Sequence, residues 1–152
     1  MIKYKDIRDK IQTGDIVFVE GHSLFSRLIK LVTHGKVTHV GILIKLAKRL
    51  FVVESIDFKG CRMMLASNYF KQTNVVDVRR SVGATVSKIK ILKDVGVLKY
   101  DMLGAILSPL IDTKSQQMYC SEFVANKLNL KVATNRGRGI YPQDLLEITR
   151  GI

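Results

Sequence analysis

Apolar residues recur along the chain with two periods, and the change between them divides a strand-rich first half from a helical second half. Asp15-Ile16-Val17-Phe18-Val19-Glu20 is a β-branched, aromatic-containing run behind Thr13-Gly14, which predicts a strand ended by Gly21. Ser23 is placed to cap a short helix over residues 24–32, where Leu24, Leu28 and Leu31 recur at helical spacing and Gly35 supplies the stop. Residues 37–45 and 50–56 predict two more strands, joined by a tight turn within 46–49. Residues 60–64 predict a weak strand, 66–71 a helical turn and 75–79 a further strand.

In the second half Val82, Val86, Ile89 and Leu92 recur at helical spacing with Lys88, Lys90 and Lys93 off that stripe, which predicts an amphipathic helix over 82–92 with its lysines outward. Residues 100–107 predict a second helix stopped by Ser108-Pro109, and the polar stretch 115–118 a loop. Residues 120–130 predict a third helix with Phe123, Val124 and Leu128 as its apolar face. Arg136-Gly137-Arg138-Gly139 predicts a flexible basic loop, and Pro142 sits at the first position of a last turn over 143–147. Strands first and helices later point to an α+β fold rather than an alternating α/β one.

Length and composition narrow the class. The 152 residues suit one domain spanning 1–152, and 47% hydrophobic with 25% charged residues is the balance of a chain that closes a core. The apolar runs fall far short of the roughly 18 residues a membrane span needs, and residues 1–6 show no export signal. The expectation is a cytoplasmic protein without a transmembrane segment. The 25 Lys and Arg against 13 Asp and Glu give a net charge of +12. That excess favours an anionic surface or polymer as a partner, or only maintains solubility. Arg79, Arg80, Lys99, Lys127, Lys131, Arg136 and Arg138 add to the lysines of the 82–92 helix in a late cluster of positive residues. There is no nucleic-acid recognition motif, and two cysteines, Cys61 and Cys120, make neither a zinc pattern nor a disulfide framework. No metal or organic cofactor is expected.

Three residues carry candidate chemistry. His39 and Glu54 each interrupt an otherwise apolar predicted strand, and a buried polar residue needs a partner. A hairpin turning at Leu46-Ala47 sets Lys45 opposite Lys48 and Leu43 opposite Leu50, and the same register sets His39 opposite Glu54. Their Cβ atoms would then stand roughly 4.5–5.5 Å apart on one sheet face, where a carboxylate fixes the imidazole tautomer and raises its basicity. Cys120 opens a predicted helix, and a helix start lowers a thiol's pKa, as does a neighbouring imidazolium. Thiolate, imidazole and carboxylate make a nucleophile, base and orienter. By residue type alone, the same residues also fit a small core cysteine and a satisfied cross-strand pair. His22 and His34 lie near turns and read as surface residues, and Cys61 reads as structural.

The local motifs resemble one family. Gly14-Asp15-Ile16-Val17-Phe18, Thr38-His39-Val40-Gly41-Ile42, Val53-Glu54-Ser55, Tyr100-Asp101, Tyr119-Cys120-Ser121-Glu122-Phe123-Val124 and Tyr141-Pro142-Gln143-Asp144-Leu145 are similar, in joint order and spacing, to NlpC-type papain-like hydrolases. Standard members carry the Cys before the His; here the His motif comes first, so the chain resembles the circularly permuted subgroup. That subgroup includes YiiX-like and related poxvirus proteins and, more distantly, lecithin retinol acyltransferase-like enzymes. The resemblance implies a permuted papain-like α+β fold, an antiparallel sheet or partial barrel packed on helices. It implies Cys120 as nucleophile, His39 as base, Glu54 as third polar residue and Tyr100 near the oxyanion or substrate. The activity it implies is cysteine-dependent hydrolysis of an amide or acyl bond in a small peptide, amide or lipid substrate. Acyl transfer to a lipid at the same site and non-catalytic binding through the basic surface are the alternatives.

Overall fold

A computed structural model describes residues 1–22, 24–56, 60–81, 86–97, 120–132 and 139–152. Ser23 as a cap, Tyr100, the 100–107 helix, the 115–118 loop and Arg136, Gly137 and Arg138 lie outside the described residues. The described elements run α1 (Tyr4–Ile7), β1 (Ile16–Val19), α2 (Leu24–Thr33), β2 (His39–Leu46), β3 (Arg49–Ile56), β4 (Gly60–Leu65), α3 (Ala66–Gln72), β5 (Val75–Arg80), α4 (Lys88–Leu92), α5 (Cys120–Leu128), α6 (Pro142–Glu147) and β6 (Arg150–Gly151). The strands form one open antiparallel sheet in the order β4-β3-β2-β1-β5-β6, so the fold is α+β.

Both faces of this sheet are covered, which is why its central strands read as continuous apolar runs rather than as alternating ones. Ile16, Phe18, Val40, Ile42, Ile44 and Val53 pack with Phe123, Val124 and Leu128 of α5, Ile91 of α4 and Leu145 of α6. Val17, Val19, Leu43 and Val52 form the other cluster with Ala66, Tyr69 and Phe70 of α3. Gly14 enters β1 at φ +97, in the left-handed region where a side chain is strained, and a Cβ there would fall 2.4 Å from Val86 Cγ2.

Several expectations need correction. The β2–β3 hairpin turns at Ala47-Lys48, with Ala47 at φ 51, so Leu46 pairs with Arg49 and Ile42 with Val53. The register is therefore shifted by two residues from the one expected. A shift of two keeps every side chain on its face, whereas a shift of one would reverse them all. The 82–92 helix is shorter: Ser87 is extended (φ −111, ψ 111) and its side chain accepts from Lys90 N, so α4 begins at Lys88. Its stripe is different as well, with Ile91 buried and Ile89 82% exposed. Leu31, one of the three leucines at helical spacing in α2, is 71% exposed. Among the described residues of the late positive cluster, Lys88, Lys93 and Lys131 are exposed as expected, while four others are engaged within the fold, and Lys99 lies outside the described residues. Lys127 is buried against Asp94, Arg80 grips the buried Asp15 carboxylate at 2.7 and 2.9 Å, Arg79 pairs with Asp77 at 2.6 Å, and Lys90 Nζ donates to Asn126 O and Asn129 Oδ1.

The third helix ends two residues earlier than expected because Asn129 takes φ 51 and Leu130 N–H returns to Ala125 O at 2.9 Å, a closing turn of Schellman type. Its three expected core residues are all fully buried. Among the described residues no helix is long and apolar enough to cross a membrane.

Candidate active site

His39 is the first residue of β2, and the chain before it is pinned to β1. Thr38 N–H donates to Val19 O at 3.0 Å, while Thr38 Oγ1 accepts from Gly21 N–H at 2.7 Å. Glu54 lies inside β3 and is almost wholly buried. Carried outward from the Ile42–Val53 pair, the register sets Gly41 opposite Glu54 and makes His39 its diagonal neighbour. Diagonal pairs remain within reach of long side chains, and His39 Nε2 stands 2.7 Å from Glu54 Oε2. Gly41 keeps this corner open: a Cβ there would come 3.3 Å from Glu54 Cβ and 2.8 Å from Val52 Cγ1.

Glu54 has two further partners. Tyr69 of α3 donates its hydroxyl to the same Oε2 at 2.7 Å. Arg62, its direct partner on β4, meets Oε1 with Nε at 2.7 Å and Nη2 at 2.6 Å. Burial pushes the Glu54 carboxyl up, but the bonds and charges of His39, Tyr69 and Arg62 outweigh it and hold the pKa at about 2. Burial together with the Glu54 charge keeps the Tyr69 phenol protonated, well above its ordinary range, so it remains a donor.

Cys120 is the first residue of the nine-residue helix α5 and is 3% exposed. The positive end of the helix dipole falls there. Its sulfur interacts with the His39 ring. Burial opposes charge on that ring, yet charge and hydrogen-bond interactions with Cys120 and then with Glu54 raise its pKa well above the ordinary imidazole value. Such coupling favours the state in which the imidazole holds a proton between the sulfur and the carboxylate.

The start of α6 ties these parts together. Ser121 Oγ, next to Cys120, donates to Ile140 O. Asp144 Oδ2 accepts from Tyr141 N–H at 2.8 Å and caps α6. Gln143 packs so closely on Gly35, ahead of β2, that a Cβ on that glycine would meet Gln143 Oε1 at 2.6 Å. The Tyr141–Leu145 motif thus links the cysteine helix to the segment leading into His39.

Cys120, His39 and Glu54 are therefore brought together, and Tyr100 lies outside the described residues. His22 and His34 are exposed. Cys61 is buried on β4, and burial with the nearby Asp94 charge pushes its thiol up to about 12, as suits a structural residue. Sequence reasoning missed Arg62, Tyr69 and Gly41. Arg62 left a signal, an opposite charge across the β3–β4 hairpin, that was readable only once that register was known. Tyr69 left none, because contact between a helix and a strand across the core has no local pattern.

Comparison with known proteins agrees with this fold. A family described as permuted papain-like amidase enzymes, YaeF/YiiX, C92 family, matches residues 10–144. No curated protein sequence matches. The solved structure of the metalloprotein YiiX from Escherichia coli O157:H7 is similar, with a TM-score of 0.57 and 26% identity over 80% of this chain and 68% of that one. Among the described residues of this chain, no group of three or more His, Cys, Asp and Glu side chains is arranged to hold a metal ion, so these residues do not fit one. With 135 consecutive residues spanned by positions 10–144, the chain belongs to the permuted papain-like amidases, a family of cysteine hydrolase type.

Proposed function

We propose that the protein hydrolyses an amide or acyl bond through Cys120, His39 and Glu54. One observation carries the reading: His39 stands between a buried, ionised carboxylate at 2.7 Å and the sulfur at the first residue of a helix. The Cys120 sulfur, as thiolate, attacks the carbonyl carbon and its electron pair forms the C–S bond. The oxygen takes the negative charge, with the positive end of the α5 dipole beside it. As the tetrahedral state collapses, the C–N bond breaks and His39 gives its proton to the leaving amine. Water then attacks the thioester, His39 takes the proton from it, and the carboxylic product leaves as the thiolate re-forms. Glu54 keeps the ring in one orientation and stabilises its charge throughout.

The test is capture of the covalent intermediate. Mixing with p-nitrophenyl acetate should release one equivalent of p-nitrophenol in a burst and leave an acetyl group on the Cys120 peptide, found by mass spectrometry. Cys120→Ala should abolish both. An acetyl group on Cys61 instead, or an undiminished burst from Cys120→Ala, would overturn the reading.

A further inference from the structure

The two oxygens of Glu54 are used differently. Oε2 serves His39 and Tyr69, while Oε1 is gripped by two nitrogens of Arg62 at 2.6–2.7 Å. Arg62 comes from the edge strand β4, directly opposite Glu54, and its side chain is 35% exposed. A guanidinium that brings two nitrogens onto one carboxylate oxygen fixes the position of that oxygen as well as its charge. With Oε1 held, the carboxylate cannot turn without breaking short charge-assisted bonds, and Oε2 stays aimed at His39 Nε2. Both of these Arg62 nitrogens end on Glu54 Oε1, so the guanidinium reaches the ring and the sulfur by way of the carboxylate.

We propose that Arg62 is a positioning residue for this site, acting on Cys120 reactivity only through Glu54 and His39; this rests on the reading of those three residues as the reacting set. Losing Arg62 loosens Glu54, weakens its hold on the imidazolium and so makes the thiolate harder to form. The pH at which Cys120 becomes reactive should therefore rise. A residue that only stabilised the sheet would lower the unfolding midpoint and leave that pH in place.

The experiment follows iodoacetamide alkylation of Cys120 in the folded full chain across pH, by peptide mass spectrometry, in five forms: unchanged, Arg62→Gln, Arg62→Lys, Glu54→Gln, and Arg62→Gln with Glu54→Gln. Arg62→Gln should slow labelling on the acid limb about threefold or more, equivalent to half a pH unit or more in midpoint. Arg62→Lys, which keeps the charge without the fork, should recover part of that loss. On the Glu54→Gln background Arg62→Gln should change the rate less than about twofold, because coupled residues are not additive. An unchanged profile in Arg62→Gln beside a slowed Glu54→Gln overturns the role of Arg62 alone. The same slowing with and without Glu54 also overturns it, since Arg62 would then act on the sulfur directly. An unchanged profile in Glu54→Gln sinks the three-residue reading together with it. Should Arg62→Gln fail to fold, Arg62→Lys carries the same comparison, and a profile in it identical to that of the unchanged chain, beside a slowed Glu54→Gln, overturns the proposal.

Discussion

Replacing Glu54 by glutamine should change how stability depends on pH, by an amount the site's geometry sets. The carboxyl is 1% exposed and holds a pKa of about 2 against its ordinary 4.5. That difference contributes about 3 kcal/mol to folding at neutral pH. A depressed pKa means the unfolded chain takes up the proton first as pH falls. The contribution is full above about pH 4.5, declines below it and is gone by about pH 2. His39, whose pKa is raised, is protonated in folded and unfolded chains alike at pH 5 and below, so its own term stays constant through this window. Glutamine cannot titrate. It also takes the anion from His39, Tyr69 and the partly exposed Arg62, so Glu54→Gln should be the weaker protein at neutral pH, by about 3 kcal/mol. Urea unfolding followed by circular dichroism, on both proteins, from about pH 5 down to about pH 2, reads the effect. The gap between them should narrow by about 3 kcal/mol as pH falls. Two stability curves that stay parallel through the window would refute the claim that Glu54 is held ionised by its partners.

Two further substitutions probe the same corner. Tyr69→Phe removes one donor from the buried carboxylate and should cost about 1.5–3 kcal/mol in a denaturant melt, with the Glu54 carboxylate 13C signal titrating at higher pH than in the unchanged chain; an unshifted titration would contradict the Tyr69 bond. Gly41→Ala places a Cβ against Val52 Cγ1 at 2.8 Å and Glu54 Cβ at 3.3 Å, so it should destabilise by about 1–3 kcal/mol and slow turnover of p-nitrophenyl acetate; full activity with full stability would show that the corner has room to spare.

The site was more legible in the sequence than the details of the fold that present it. Two polar residues in apolar strands stand out because burial demands a reason, and the face they share survived a wrong turn position because the error was two residues and not one. The helix beginning at Cys120 was legible from the spacing of Phe123, Val124 and Leu128. The 82–92 stripe misled because periodicity alone does not weigh a cap: Ser87 can satisfy Lys90 N–H with its own side chain, and starting the helix there turns Ile91 inward in place of Ile89. The short α1 and β6 left too few residues for a pattern; Tyr4 is held by the ring of Phe70 at 5.5 Å and Gly151 by pairing with Arg79. Charge counting misjudged Lys127 for a similar reason. Its partner Asp94 sits on a different element, and the ring of Phe123 lies 5.7 Å from the ammonium.

The most direct measurement of the central claim compares the two cysteines of the folded chain. Both are buried, Cys120 at 3% and Cys61 at 1% exposure, so access does not separate them. Chemistry does: with its thiol pushed up to about 12, Cys61 is thiolate in only about one molecule in 100,000 at neutral pH, whereas Cys120 starts a helix and is coupled to the protonated His39 ring. With iodoacetamide at neutral pH, Cys120 should label at least about 100-fold faster than Cys61, and His39→Ala should remove most of that advantage. Equal rates, or Cys61 labelling first while the protein remains folded, would contradict Cys120 as the nucleophile.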